Sequence, residues 1–254
     1  MRGSDTVTLE GMNAAEKLLV GIEAAWAART VKLAPEPPGE RTGTAAAPSA
    51  KLAALKAPPT PIRFAAVGDS LVAGCGVESQ EDALTPMVAG EVARREGRPV
   101  EWSTYSQLGA TMRRVRYRFM PQVPDEQDLL LVCAGSNDVM ARRSVQEWKD
   151  DLSATLDMAQ EKAKTVLLCS AGQPHNSPAL PRRLRLALSG VIDRQTEASR
   201  QICEERGVYF ADVANAALPE GFWAQDKFHP SYIGYQTATR LLTNALYEEE
   251  AASA

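Results

Sequence analysis

The sequence predicts an α/β protein: a three-layer α/β/α sandwich around a five-stranded, mostly parallel sheet. Three observations carry this. Five strand-like runs, IRFAAVG, VEWSTYS, DLLLVCAG, TVLLCSAG and GVYFADVA, alternate with helix-length segments between residues 61 and 250. Three of these runs are almost continuously apolar, as strands covered on both faces are. Several stop at glycine and short polar side chains, the punctuation of a strand-to-helix turn.

In chain order, residues 1–11 (MRGSDTVTLEG) read in part as an expression leader, with Met12 as a native start. Residues 12–34 follow as an amphipathic helix, with Leu18, Leu19, Ile22, Ala25, Trp26 and Leu33 recurring on one face. That face needs a surface: the domain, a second protomer (an oligomer built through this helix) or a membrane. Docking on the domain is the expectation. Glu23 inside the apolar run, with Asp5, Glu10 and Glu16 upstream, argues against a signal peptide. Between Pro35 and Pro61 fall seven of the chain's 16 prolines. Residues 35–60 therefore read as a semi-rigid Pro/Ala-rich linker, and the globular domain is expected over 61–250. Within it the clearest helix opens on the capping box Ser144-Val145-Gln146-Glu147 and runs Val145, Trp148, Leu152, Leu156 and Ala159 along one face. Residues 184–206 and 231–247 give two more.

Charge and cysteine usage narrow the function classes. With 28 Lys+Arg against 32 Asp+Glu the net charge is −4, so nothing global attracts nucleic acid or an anionic membrane. No run approaches the ~20 apolar residues of a membrane span. Cys75, Cys133, Cys169 and Cys203 lie far apart with no CxxC pair. Buried free thiols in a reducing cytoplasm are read ahead of two disulfides in a secreted protein. No metal and no cofactor is expected.

Doubly wound sheets hold ligands beyond the C-terminal ends of their strands. The polar residues directly after the strands are Asp69 and Ser70, then Gly109, then Ser136, Asn137 and Asp138, then Gln173 and His175. Ser70 is either a helix cap or a nucleophile, and Asn137 a turn residue or a ligand contact. Gly109 either permits a left-handed backbone or exposes an N–H. The chain has two histidines, so a general base near neutral pH is His229 or His175. Asp226, three residues before His229, is placed to turn back on the imidazole and fix its tautomer, and Pro230 stiffens the exit.

Gly68-Asp69-Ser70, Gly109, Gly135-Ser136-Asn137-Asp138 and Asp226-x-x-His229-Pro230 occur in the order and approximate spacing of the four blocks of the SGNH hydrolases, the GDSL esterases and lipases. The chain resembles that family over about residues 61–247, and Leu180-Pro181-Arg182-Arg183-Leu184-Arg185 resembles its actinobacterial single-domain esterases. The resemblance implies a flavodoxin-like sheet and a serine esterase acting on a small-molecule ester. Ser70 is then the nucleophile, His229 the general base and acid, and Asp226 its orienting carboxylate. The oxyanion hole comprises the Ser70 N–H, the Gly109 N–H and the Asn137 amide. One departure is Gln107-Leu108-Gly109, where the family often has Asn before the glycine. Asp69 and Asp138 are expected to brace loops. The arginines of residues 113–118 are a solvated helix face or a steering patch for an anionic substrate. The family also contains lysophospholipases, thioesterases and acyltransferases, and the layering alone is shared with flavodoxin-like binding modules. GDSLVAGCG has no phosphate-cradling pattern, which weighs against a nucleotide site. A short loop between Gly172 and Arg182, stiffened by Pro174, Pro178 and Pro181, and little aromatic or branched apolar surface from Ser136 to Arg143 suggest a shallow crevice favouring acetyl to butyryl esters.

Overall fold

The computed structural model describes residues 13–48 and 59–252, with side chains to residue 247. The expected leader, residues 1–11, lies outside the described residues. Six strands form one sheet: β1 (Thr42–Ala45), β2 (Ile62–Gly68), β3 (Val100–Ser106), β4 (Gln127–Cys133), β5 (Ala163–Cys169) and β6 (Tyr209–Ala211). Their order is β1-β3-β2-β4-β5-β6. β2 to β6 are parallel and are the five predicted strands, two of them at the predicted bounds. The chain leaves β2 toward β3 on one side and later returns to β4 on the other. The C-terminal ends of β2 and β4 therefore flank the point where the winding reverses, where such sheets open a crevice.

Period-2 alternation explains the two faces. Phe64, Ala66, Leu129, Leu131 and Leu167 pack with α2 (Leu84–Glu96) and α6 (Tyr232–Ala252). Ala65, Val67, Leu130, Val132 and Leu168 point the other way, to the irregular helical segment 112–122, α4 (Val145–Lys162) and α5 (Arg182–Arg206). α4 begins at the predicted capping box, with Ser144 Oγ accepting the Glu147 N–H and the Glu147 carboxylate accepting the Ser144 N–H. A five-residue helix, α3 (Ser136–Met140), follows β4.

Two expectations about the N-terminal region are corrected. The helix exists as α1 (Ala14–Thr30), capped by Asn13, but it docks by its other face. Val20, Ala24 and Ala27 sit against Leu184, Ala187 and Leu188 of α5, while Leu18, Ile22 and Trp26 are 66 %, 56 % and 52 % exposed. Small residues let the two helices approach closely. Glu23 fixes the contact by accepting the Leu184 N–H at 2.8 Å and pairing with Arg183 at 3.4 Å, so it supplies the acceptor that Pro181, the N-cap of α5, lacks.

The expected linker, in its described part, lies on the domain instead. Thr42–Ala45 adds to the sheet edge antiparallel to β3, in register from Thr42↔Ser103 to Ala45↔Val100. A segment too poor in apolar residues to build a core can still pair as an edge strand, because pairing uses main-chain groups alone. Gly43 is required there, since a Cβ would come 2.7 Å from the Trp102 ring.

Candidate active site

The β2–α2 connection begins with Gly68, where a Cβ would fall 2.1 Å from the Cys133 carbonyl of β4. Only glycine lets the two central strands end side by side. The Asp69 N–H donates to that carbonyl at 3.0 Å, and Asp69 Oδ1 accepts the Leu71 N–H at 3.0 Å, which shapes the turn that presents Ser70. Burial pushes the Asp69 carboxyl up to about 6. Asp138 is also raised to about 6 by burial, and its Oδ2 accepts the Met112 N–H at 2.8 Å. Both aspartates hold loops, as expected.

Asp226 and His229 share one turn. His229 Nδ1 lies 2.6 Å from Asp226 Oδ2, and Asp226 Oδ1 accepts the N–H groups of Phe228 and His229 at 2.9 Å each. The side chains of His229 and Asp226 are only 4 % and 5 % exposed, so the pair interacts with little solvent screening. Burial alone would raise the Asp226 pKa, but hydrogen bonds from the His229 ring and from the Ala34, His229 and Phe228 N–H groups outweigh it and hold the carboxyl well below the usual range. The turn is pinned by the Ala224 N–H donating to the His229 carbonyl at 2.9 Å, and by Ser177 Oγ donating to the Lys227 carbonyl at 2.8 Å.

Ser70, Asn137 and His229 line one cavity at the C-terminal end of the sheet. Its volume is about 70 Å³, and Leu71, Leu218, Phe222, Trp223, Phe228 and Leu241 give it an apolar wall. The crevice is therefore small and apolar. Most of its large apolar side chains come from residues 218–241, which the sequence reading did not consider, while Ser136, Asn137, Gly172, Gln173 and Pro174 line it from the two loops that reading rested on. His229 Nε2 is buried without a hydrogen-bond partner, and no hydrogen bond joins it to Ser70 among the described residues. Such contacts commonly tighten only with substrate present. The Asn137 amide donates to the Ala110 carbonyl at 3.0 Å and reaches Asp69 Oδ2 at 3.4 Å.

Gly109 takes φ +80°, and a Cβ there would meet nothing within 4 Å. It lies outside the lining of the cavity, in an exposed turn closed by the Ala110 N–H and the Gln107 carbonyl at 3.1 Å. The main-chain N–H groups of Ser70 and Gly109 have no partner among the described residues. His175 is not brought to the cavity; it sits in a short helical turn with Nε2 3.1 Å from Asn176 Nδ2. All four cysteines are free and buried.

The model of the GDSL-like lipase/acylhydrolase family matches residues 66–237. The chain belongs to that family. A curated GDSL-like esterase of Mycobacterium tuberculosis is 24 % identical over 196 residues, covering 74 % of this chain. The match spans 62 % of that relative's length. Among solved structures, a lipase/acylhydrolase from Enterococcus faecalis aligns with TM-score 0.55 and 21 % identity, over 72 % of this chain and 94 % of that one. The acetylxylan esterase Axe2 of Geobacillus stearothermophilus gives 0.56 and 17 %, over 73 % and 94 %. At these identities the structural likeness establishes the fold, while the family match establishes membership of the GDSL-like lipase/acylhydrolase family.

Family membership leaves several contributors to this site unnamed. Gly76, at φ +107°, lets the chain after Ser70 pass within 2.3 Å (Cβ position) of the Pro230 carbonyl. Ala34 and Glu36 reach the site from the N-terminal segment. A second glycine, two residues after Gly74 in the turn behind Ser70, is a readable signal for the first; nothing local marks the other two.

Proposed function

We propose that the protein hydrolyses short-chain carboxylic esters through an acyl-enzyme on Ser70. The observation that carries this is the buried Asp226–His229 pair, whose free Nε2 belongs to a residue lining the same cavity as Ser70. His229 takes the Ser70 proton as Oγ attacks the ester carbonyl, then returns it to the departing alcohol. Asp226 keeps Nδ1 protonated, leaving Nε2 as the acceptor. The tetrahedral oxyanion is held by the unpaired N–H groups of Ser70 and Gly109 and by the Asn137 amide, which Ala110 orients. Water then repeats the sequence on the acyl-enzyme. The free thiols favour a reducing, cytoplasmic setting. No helix among the described residues is long and apolar enough to cross a membrane.

Cavity size sets the acyl preference. The small volume of the cavity, about 70 Å³, and its apolar wall support a short acyl group. The acetylxylan esterase among the structural relatives agrees with a small acyl group. Across p-nitrophenyl esters measured below their aggregation limits, kcat/KM should peak between two and four carbons and fall by eight. Activity that keeps rising to ten carbons, at the ~0.8 kcal/mol a buried methylene contributes, would show an acyl trench this cavity does not provide.

Asn137→Ala should lower kcat about 100-fold with KM nearly unchanged, because the amide meets charge that exists mainly in the transition state. Steady-state kinetics on p-nitrophenyl acetate decides it; an unchanged kcat removes Asn137 from the oxyanion hole.

A further inference from the structure

Residues 31–45 run from the end of α1 into β1 and touch three of the loops around the cavity. The Ala34 N–H donates to Asp226 Oδ2 at 2.8 Å, the same oxygen that faces His229 Nδ1. Two residues on, Glu36 Oε1 accepts the Leu108 N–H at 2.6 Å, one residue before Gly109. The other Glu36 oxygen pairs with Arg41 at 2.6 Å, and Arg41 donates to Ser106 Oγ at 2.9 Å. Gln80 Nε2 bridges the Pro37 carbonyl at 3.1 Å and the Ala73 carbonyl at 2.9 Å, tying the segment to the turn after Ser70.

These contacts are polar and specific, not the burial of a covering strap. Asp226 Oδ1 is fixed within its own turn, whereas Oδ2 has, among the described residues, only the imidazole and the Ala34 N–H. Removing Ala34's donor frees that oxygen to swing, and the imidazole with it. The exposed Gly109 turn is anchored at its ends, by the Gln107 N–H on the Gly68 carbonyl at 3.4 Å and by the Ala110 carbonyl on the Asn137 amide at 3.0 Å, and between them Glu36 supplies the side-chain contact at Leu108. A carboxylate drawing in the Leu108 N–H sets the plane of the peptide that leads to the Gly109 N–H. Pro35, Pro37 and Pro38 limit the backbone freedom that has to be lost in holding Ala34 and Glu36 there.

We infer that segment 31–45 is a positioning element of the active site: the Ala34 N–H holds Asp226 and through it His229, and Glu36 holds the loop carrying Gly109. This rests on the roles proposed above for those three residues.

The test uses the full chain with Ala34→Pro, which deletes one N–H in an extended stretch, and with Glu36→Ala and Glu36→Gln. Ala34→Pro and Glu36→Ala should each lower kcat on p-nitrophenyl acetate about tenfold or more, with KM changed less than about twofold. Glu36→Gln, whose amide oxygen still accepts from Leu108, should recover most of that loss. A fluorophosphonate should still modify Ser70 in every variant, at a rate reduced in step with kcat. Adduct formation elsewhere in the parent protein overturns the Ser70 reading itself. Adduct at Ser70, with kcat in Ala34→Pro and Glu36→Ala within twofold of the parent, overturns the positioning role alone. If Ala34→Pro does not fold, the Glu36 pair decides, and a Gln variant no better than Ala counts against the inference.

Discussion

Ser70→Ala and His229→Ala should each reduce kcat by about 10⁶, and the double variant should be no worse than either single one. The reason is that neither group acts alone. A serine hydroxyl is a weak nucleophile until an imidazole takes its proton, and the imidazole has nothing to deliver once the hydroxyl is gone. Asp226→Ala should cost less, about 10⁴, since the carboxylate orients the ring without moving the proton. It still costs a great deal here, because its removal leaves His229 Nδ1 and the N–H groups of Ala34, Phe228 and His229 without their acceptor. Single-turnover and steady-state rates on p-nitrophenyl acetate, with folding checked by thermal unfolding, measure all four variants. Losses for Ser70→Ala and His229→Ala that multiply in the double variant would mean the two side chains do not work as a unit. Inactivity of His175→Ala, at full activity of His229→Ala, would move the base to the other histidine.

The parts of this protein that could be read from sequence are those whose cause is local. IRFAAVG is a strand wherever it occurs in a buried sheet, because its successive residues serve both faces; Phe64 and Ala65 go to opposite sides. The capping box at Ser144 depends on four consecutive residues. The Asp226–His229 contact spans three residues and one turn, so its spacing is visible in the chain. What could not be read depends on partners distant in sequence. Large apolar residues on α1 suggested the buried face, yet packing is decided by fit to α5, which selects Val20, Ala24 and Ala27. Thr42–Ala45 has no strand periodicity of its own and forms because β3 offers an unpaired edge. The Ala34 contact with Asp226 joins residues 192 apart through a main-chain N–H that every residue but proline carries, so no side chain advertises it. The cavity wall is not legible for a related reason: Phe222, Trp223 and Phe228 lie outside any strand or helix, and only the fold brings them to the cavity that Ser70 also lines.

Gly76→Ala should lower kcat about 100-fold or more and destabilise the protein by about 2–4 kcal/mol, although residue 76 is six positions from Ser70. Two costs combine. At φ +107° an alanine is strained, by about 1–2 kcal/mol for left-handed backbone generally. Its Cβ would also lie 2.3 Å from the Pro230 carbonyl oxygen and 3.0 Å from the His229 Cβ, distances at which something must move. The loop carrying Gly76 is poorly placed to retreat, because the buried Tyr235 hydroxyl of α6 holds the Cys75 carbonyl at 2.8 Å. The displacement therefore falls on Pro230 and His229, by about 1 Å, and a shift of that size in a catalytic group can cost about 100-fold. Gly207→Ala is the control. It has the same sign of φ, +63°, but meets no atom within 4 Å and lies at the C-cap of α5, outside the cavity lining, so it should lose stability through backbone strain and leave kcat within about twofold. Thermal unfolding and kcat on one ester, measured for both variants, separate strain from displacement. Equal kcat in the two would mean that the contact between the Ser70 loop and the His229 loop does not set the position of the imidazole.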